Sequence, residues 1–600
     1  MPSFPNIDSI EHLYFGKNPY LDAWILYFMT ENGIDYSSSP EKNASPEQLR
    51  FMVDLDEDRF FAPCSDWMLF NLLNIDRSDA LLSEYKLQWK KYVFLVRSYI
   101  KDSYTRKKII ALSRHKFHQV LETSFLIPSR LIKQLITIFL SQCAIEDPLF
   151  AQKCEMNRRA YDFLHGHEFG AFINACPRRD LPCESISSLR WSLNLLELKR
   201  LMSASLCNEI WQDQTLDTPL IILCDRLFAS LGEVGDQLRP LLDPDLRGRL
   251  NILFLPDRAG GLVFDIEIVK VLNMLGHRVI LALKSGFYFD TTSLWDLGSD
   301  PILSEIFKSS YLVDKKDISK KDLLNIINTH GFVTIGDGTR ERLNLYRTSL
   351  TFARAWKECD VVIAKGERNH RRLFLNSYQF TRDIFFFYRA GDRVEVVVKP
   401  KSARVRKYSE KDIMLMADSI IATMRKKRLS GEMVVFYSGI IGSIPGQTKM
   451  AIKLLNVFVE YLRKKLEGAL IINPAEHFAP GMDGDDLMYM WERVQRSGYI
   501  DVWRFQTVSD IEKSFELLGE KVPSVWTGKD ATYSTGCTKE MGIALSVQKE
   551  HPEMQIIGPD PVNFFRRKEY GVGKYFDAGL HADFSRGLGH SPAWSEDALE

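Results

Sequence analysis

The feature that most limits the fold of this chain is an alternation of short apolar runs with longer helical patterns. Between about residues 216 and 400 the apolar runs cover 250–255, 278–283, 332–335 and 360–364, and helical patterns cover 263–275 and 343–357. Buried parallel strands have continuous apolar sequences, and parallel strands need a crossover connection, usually a helix. This order therefore predicts an open parallel sheet covered by helices.

A second alternation of the same kind follows a basic stretch. The strand candidates are 433–437, 469–472, 500–505 and 555–557, separated by helical patterns at 448–466, 485–496, 508–518 and 538–549. The stretch between the two alternations, 399–407, carries five basic residues and a proline, and is interpreted as a linker or an exposed edge. The last third of the chain is predicted to be a smaller α/β domain.

The part before the first alternation has a different periodicity. From about residue 50 to 215 the apolar residues recur at spacings of three and four, which predicts helices. A length of 600 residues fits about three domains. The expected architecture is α/β: a helical N-terminal region at 1–215 packed on the sheet of 216–400, then an α/β domain of unknown role at 401–600.

Charge and cysteine usage exclude several classes of protein. Lys plus Arg and Asp plus Glu are equal at 78 each, so no net field draws the chain to nucleic acid or anionic lipid, and both partners are expected to be absent. The nine cysteines form no Cys-x-x-Cys pair, and no secretory signal or long uncharged apolar stretch is visible. A cytoplasmic location is predicted, and the oligomeric state stays open.

The loops that follow the four predicted strands of the first sheet carry polar residues and glycines. Ligands of parallel α/β sheets bind outside the carboxyl ends of the strands, where these loops converge. The residues delivered there, in the order of the strands, are Asp257, Arg258, Gly260 and Gly261; Lys284 and Asp290; Asp337 and Thr339; and Lys365 and Asn369.

These residue types suit a site for a metal ion and a phosphate. Carboxylates from separate strands can share Mg²⁺ or Mn²⁺, and glycine-rich turns that open helices present N–H groups to anions. A lysine at the same edge supplies a positive charge for the phosphate. Taken one loop at a time, however, Asp and Gly are also ordinary turn formers, and that alternative stays open for each loop.

Three of these loops match motifs of a known family. The sequence resembles the damage-control phosphatases, which have an acidic-residue-methyltransferase-like metal-binding domain, over about residues 216–400, and the run 383–398 resembles that family's closing strand. The C-terminal α/β region is not recognised. The motifs are Asp257-Arg258-Ala259-Gly260-Gly261 with Asp265 after an apolar stretch, Asp290-Thr291-Thr292, and Lys365-Gly366-Glu367-Arg368-Asn369.

The resemblance implies hydrolysis of a small phosphorylated metabolite, such as a sugar phosphate, with a divalent cation (Mn²⁺, Mg²⁺, Co²⁺ or Ni²⁺) as cofactor. It implies that Asp257 and Asp290 are metal ligands and that Lys365 completes the catalytic set by stabilising charge on the phosphate. The residues expected to contact the substrate are Arg258, Gly260, Gly261, Asp337, Thr339 and Asn369.

One position departs from the family pattern. The asparagine that serves the family as a metal ligand is Arg258 here, and a guanidinium group cannot ligate a metal. Two hypotheses follow: a phosphatase that keeps a weaker metal site, in which Arg258 contacts the phosphate, or an altered protein that binds a phosphorylated metabolite in a regulatory role without hydrolysing it. The sequence favours the phosphatase, with the binding protein as the alternative.

The C-terminal region contains three further candidates. A glycine-rich loop at 438–449 follows a strand and opens a helix, but it lacks the order of a Walker loop, and a plain turn is an equal alternative. Glu476 and His477 lie near several aspartates and are more often structural than metal-binding. Cys537 opens a helix, and it would be a nucleophile only with a base beside it.

Overall fold

The computed structural model describes residues 13–565 except for 15, 17, 35–45, 57–58, 74–78, 124–125, 177–183, 213–217, 233, 445–446, 478 and 480. The chain forms two compact units, Met1–Val405 and Arg406–Glu600. Both units combine helices with a parallel sheet, so the predicted α/β fold is confirmed.

Helices fill the chain before the first strand, as the spacing predicts. Helix α6 shows the reason: it begins at a proline in its first turn, and its buried residues Leu131, Ile132, Leu135, Ile136 and Phe139 share one face. The helices of this region are α1 (Pro19–Glu31), α2 (Pro46–Leu49), α3 (Asp66–Leu73), α4 (Asp79–Tyr99), α5 (Ser103–Thr123), α6 (Pro128–Cys143), α7 (Phe150–Leu164), α8 (His167–Ile173), α9 (Ile186–Leu206), α10 (Leu220–Ser230), α11 (Val234–Leu242) and α12 (Pro244–Arg247).

Seven strands then build the first sheet. They are β1 (Asn251–Leu255), β2 (Arg278–Leu283), β3 (Tyr311–Val313), β4 (Phe332–Gly336), β5 (Val361–Lys365), β6 (Asp383–Ala390) and β7 (Arg393–Lys399). The interleaved helices are α13 (Gly261–Met274), α14 (Leu294–Ser299), α15 (Pro301–Ile306), α16 (Lys320–Thr329), α17 (Leu350–Glu358) and α18 (Glu367–Asn369), with a π-helical turn at His370–Phe374.

The sheet order is β3-β4-β2-β1-β5-β6-β7, and every pair is parallel except β6 with β7. Two details differ from the sequence expectation. The run 383–398 is a hairpin of two antiparallel strands, because a turn at Gly391 reverses the chain. Strand β3 has only three residues and two of them are exposed, so it leaves no apolar run in the sequence.

The helical N-terminal region packs on both faces of this sheet. Along β1, Leu253 and Leu255 belong to a core that includes residues of α1 and α3 to α6, whereas Ile252 and Phe254 belong to a core with residues of α7 to α10 and α13. A strand buried on both faces has no polar alternation, which explains the continuous apolar runs.

The chain changes direction at the centre of the sheet. Strand β1 pairs with β2 on one side and with β5 on the other. The connection after β1 leads to β2, whereas the connection after β5 leads to β6 in the opposite direction along the sheet. In open α/β sheets the crevice between such loops is the usual place for a ligand.

The second unit has a sheet of four parallel strands in the order β11-β10-β8-β9. Its strands are β8 (Met433–Ser438), β9 (Ala469–Ile472), β10 (Val502–Phe505) and β11 (Gln555–Ile557), close to the predicted runs. Its helices are α19 (Glu410–Leu429), α20 (Thr448–Lys465), α21 (Gly484–Gln495), α22 (Val508–Leu518), α23 (Thr535–Glu550) and α24 (Pro561–Phe565). Among the helices of the described ranges, none has the length and apolar character needed to cross a bilayer.

Candidate functional site

The loop after β1 places Asp257 against the backbone of the loop after β5. Gly366, directly after β5, has φ +87°, and a Cβ on this residue would lie 2.4 Å from Oδ2 of Asp257. Both the positive φ and the space taken by the carboxylate therefore require glycine at this position. The glycine of the Lys-Gly motif thus allows the β1 carboxylate to approach the end of β5.

Asp290 reaches the same place from the loop after β2. The N–H of Ala259 donates to the backbone carbonyl of Asp290 at 2.8 Å, which ties the two loops together. Phe289, just before Asp290, has φ +50°, a conformation that non-glycine residues rarely adopt. The structure therefore brings Asp257 and Asp290 together at one edge of the sheet.

Two arginines lie between these carboxylates. Nε of Arg258 is 3.5 Å from Oδ2 of Asp257 and 3.6 Å from Oδ2 of Asp290. On the other side, Nη2 of Arg368 is 2.7 Å from Oδ1 of Asp290, and Nε of Arg368 is 3.9 Å from Oδ1 of Asp257. Each guanidinium group therefore contacts both aspartates, and two positive charges balance two negative ones.

The two aspartates favour the charged form of Arg368. Burial alone would lower the pKa of the Arg368 guanidinium, but the carboxylates of Asp290 and Asp257 outweigh burial and raise that pKa above its ordinary value. Arg368 is part of the Lys-Gly motif, and the sequence predicts no role for it. Its position beside the predicted metal ligands becomes visible only in the folded chain.

The donor set does not fit the divalent cation that the resemblance implies. Hard cations take about six oxygen ligands, but among the described residues no group of three or more His, Cys, Asp or Glu side chains is placed to hold a metal ion. At an effective dielectric constant of about 20, two unit charges about 4 Å apart interact by about 4 kcal/mol. A dication between Arg258 and Arg368 would be repelled by both.

Lys365, predicted to contact the phosphate, lies in a buried ion pair. Its Nζ is 2.7 Å from Oδ1 of Asp265 on α13, and it donates to the carbonyl of Gly261 at 3.2 Å. Burial raises the pKa of Asp265 to about 6, against the opposing effect of Lys365. Lys365 therefore joins β5 to the first turns of α13 beneath the loops that carry Asp257 and Asp290.

The two glycines after β1 serve close packing. Gly260 has φ +75°, its N–H donates to Oδ1 of Asn157 on α7 at 2.7 Å, and a Cβ here would lie 2.3 Å from Cγ of Trp211. A Cβ on Gly261 would lie 2.9 Å from Nζ of Lys365. The amide of Gly260, expected to face a phosphate, already has a partner in the protein.

Asp337 and Thr339, after β4, bind a lysine from the loop after β2. Nζ of Lys284 is 2.6 Å from Oδ2 of Asp337 and 3.0 Å from Oγ1 of Thr339. Asn369, at the end of α18, donates from Nδ2 to the carbonyl of Lys365 at 2.8 Å and to that of Leu255 at 3.3 Å. These residues thus connect neighbouring strand ends.

A cleft opens among these loops. Of the predicted site residues, Asp257, Arg258, Asp337 and Asn369 line it; Asp290, Lys365, Thr339 and the two glycines do not. The remaining lining residues are Leu255, Pro256, Leu262, Ala282, Leu283, Lys284, Thr291, Thr292, Leu343 and Phe352.

Further positive charge lies close to the two arginines. Burial, followed by the charges of Arg368 and Arg342, lowers the pKa of Lys91 on α4. Burial also lowers the pKa of Arg342, and the charge of Arg368 acts in the same direction. These groups add positive potential to the balanced cluster of two arginines and two aspartates.

The candidates in the second unit are held by neighbouring side chains. Burial, with a smaller effect of Glu540, raises the pKa of the Cys537 thiol well above its ordinary value, which disfavours a nucleophilic thiolate. Glu476 accepts from Arg463 at 2.7 Å, and the ring of His477 packs edge-on against Trp491. Part of the glycine-rich loop, residues 445–446, lies outside the described residues.

Comparison with known proteins finds similarity to solved structures. No family model matches the chain, and no curated protein matches it. The structure is similar to that of a DUF89 family protein from Pyrococcus horikoshii, with a TM-score of 0.34 and 17% sequence identity, over 51% of this chain and 90% of that one.

Proposed function

We propose that the chain binds a small phosphorylated metabolite in the cleft after β1 and β2, with Arg258 and Arg368 as the principal groups for the phosphate. The observation that carries this proposal is the pair of guanidinium groups held between Asp257 and Asp290. Arginine presents a planar fork of N–H donors that matches phosphate oxygens, and it keeps its charge at any physiological pH.

Both guanidinium groups retain donors for a ligand. Arg258 contacts the aspartates through Nε. Within the described ranges its two terminal amino groups have no hydrogen-bond partner. Its side chain lines the cleft. Arg368 does not line the cleft, but its Nη1 is buried and has no hydrogen-bond partner among the described residues. A buried donor without a partner is unfavourable, and a phosphate oxygen would satisfy it.

The charge around the cleft also supports an anionic ligand. The two aspartates alone would repel a phosphate, but Arg258 and Arg368 neutralise them, and Lys91 and Arg342 add positive charge nearby. The apolar part of the lining, including Leu343 and Phe352, suits the carbon skeleton of a metabolite.

Metal-dependent hydrolysis of the same class of ligand is the second candidate. The convergence of Asp257 and Asp290 from the loops after two neighbouring strands favours it, because paired carboxylates are a common basis for divalent cation sites. The guanidinium groups between the carboxylates count against it.

The decisive experiment measures binding and turnover on one preparation. We expect sugar phosphates to bind the full chain in the presence of EDTA, as measured by calorimetry, and Arg258→Ala to weaken binding at least about tenfold through loss of a charge-assisted contact. Arg158→Ala is the matched control, because Arg158 is an exposed arginine of the same unit that pairs with Glu155. Equal affinity in the wild type and in Arg258→Ala would contradict the proposal.

Turnover decides between the two candidates. Release of inorganic phosphate is measured with Mn²⁺, Mg²⁺, Co²⁺, Ni²⁺ and EDTA. Binding without release at any metal concentration supports a binding protein. Release that requires metal and disappears in Asp257→Ala would establish the phosphatase instead.

A further inference from the structure

We propose that Arg258 and Arg368 jointly replace a divalent cation between Asp257 and Asp290, and that each arginine alone is sufficient to keep a cation out. This inference concerns the cation and goes beyond the proposed function, since it stands whatever anion the cleft binds. In this inference Asp257 and Asp290 hold the two arginines in position and do not ligate a metal ion.

The first step is the position of the charges. Nε of Arg258 lies between the two carboxylates, at 3.5 and 3.6 Å from their Oδ2 atoms. Arg368 approaches their Oδ1 atoms, at 2.7 Å from Asp290 and 3.9 Å from Asp257. Two guanidinium groups supply the charge of one dication, and they contact the oxygens that would be its ligands.

The second step is that the contacts are redundant. Because each guanidinium group touches both aspartates, removal of one leaves the other still bridging Asp257 and Asp290. Arg258 comes from the loop after β1 and Arg368 from helix α18 after β5, so different elements hold the two side chains. Their effects on cation binding should therefore be strongly non-additive, as expected for groups that share partners.

The third step concerns what the remaining carboxylates can do. Asp257 and Asp290 stay close without a metal, since the Ala259 N–H to Asp290 carbonyl hydrogen bond and the glycine at position 366 fix the loops. Substitution of both arginines by smaller residues would leave two converging carboxylates with no cation between them. These two carboxylates would supply only part of the ligand shell of a Mn²⁺ ion, and water would have to supply the rest.

The test measures Mn²⁺ binding to the full chain by calorimetry and by electron paramagnetic resonance. The variants are Arg258→Asn, Arg368→Ala and the double variant, with Arg158→Ala as the control and circular dichroism as the check of folding. We expect no saturable binding in the wild type or in either single variant. We expect one saturable site in the double variant, as non-additivity requires, and loss of that site when Asp257→Asn is added.

Three results would overturn the inference. Stoichiometric Mn²⁺ binding by the wild type that Asp257→Asn abolishes would show that the arginines exclude nothing. A single variant that binds Mn²⁺ as tightly as the double variant would show that one arginine alone does not keep the cation out. A folded double variant without a site would show that the arginines are not the obstacle. If the double variant does not fold, Arg258→Gln with Arg368→Gln replaces it.

Discussion

The carboxyl edges of the two sheets share a topology and differ in their chemistry. In each unit the first strand of the sheet pairs with parallel strands on both sides, β1 with β2 and β5, and β8 with β9 and β10. At the edge of β1 and β5 lie ion pairs and a cleft, with Arg258 at its surface and Lys365 beneath.

At the edge of β8 lies a hydrogen-bond network around a buried carboxyl group, that of Glu540. Ser438 ends the strand and accepts from Nε1 of Trp503 at 2.9 Å, and Nε2 of Gln495 donates to the buried carboxyl group of Glu540 at 3.0 Å. Burial raises the pKa of Glu540 to about 7. In both units the topology brings loops together, and the residues delivered there decide whether the edge carries ion pairs around a cleft or a buried carboxyl group with polar partners.

The largest effect is expected at the buried charge of the first edge. Lys365→Met would leave Asp265, which is fully buried, without its cation, and loss of one partner of a buried pair costs about 3–5 kcal/mol. We expect the free energy of unfolding of the first unit to fall by this amount, measured by hydrogen exchange in peptides that cover β1 and β5.

The control for Lys365→Met is the double variant Lys365→Met with Asp265→Leu, which removes both charges. It should recover most of the lost stability, since replacing a whole buried ion pair by apolar groups is often close to neutral. A cost of the single variant below about 1 kcal/mol, the range of an exposed pair, would show that the pair is not buried as described.

The stability of the second unit should depend on pH through Glu540, whereas the stability of the first unit depends on a buried ion pair. The folded pKa of Glu540, about 7, lies above the ordinary 4.5, so the folded state holds a proton that the unfolded state releases. Stability from this group is fully present below pH 4.5 and is lost as the pH rises through 7. The expected loss by about pH 9 is on the order of 3 kcal/mol.

Glu540→Gln isolates this effect, because an amide keeps the shape of the side chain and cannot ionise. The difference in melting temperature between the wild type and Glu540→Gln should move steadily in favour of the variant as the pH rises. A constant difference between pH 5 and about pH 9 would mean that Glu540 is ionised in the folded chain.

Much of the fold follows from the sequence because buried parallel strands leave apolar runs. The runs 278–283, 469–472 and 555–557 coincide with β2, β9 and β11. The helix expected at 343–357 begins only at Leu350, because Ser349 caps it and the preceding residues form turns. The sequence pattern therefore predicts the presence of helices and strands better than it predicts the residues at which they begin and end.

The candidate site is harder to predict, because a motif identifies residues and not their partners. Convergence of Asp257 and Asp290 could be expected from neighbouring strand ends, and the structure brings the two side chains together. That Lys365 turns to Asp265, or that Arg368 reaches Asp290, depends on how α13 and α18 pack against the loops. These contacts join residues far apart in sequence, and no spacing encodes them.

A smaller effect is expected from Ser438→Ala, the neutral counterpart of the Lys365 substitution. The variant leaves Nε1 of the fully buried Trp503 without an acceptor, which costs about 1–3 kcal/mol. Ser430→Ala, at an exposed hydroxyl in the same unit, should change stability by less than about 0.5 kcal/mol. Hydrogen exchange in peptides that cover β8 and β10 measures the loss of stability in each variant. Equal losses would contradict the prediction that the hydroxyl of Ser438 matters more than that of Ser430.

The smallest effect is expected from Asn369→Ala, which removes a neutral contact from the charged edge. Its Nδ2 donates to the Lys365 carbonyl at 2.8 Å and to the Leu255 and Pro256 carbonyls at 3.3 and 3.4 Å. Only the first is short, and the site is partly exposed, so water can replace the donor and the cost should be about 1 kcal/mol. A cost equal to that of Lys365→Met, measured by the same hydrogen exchange, would mean that neutral bridges between the β1 and β5 loops hold this edge together as firmly as its buried ion pair.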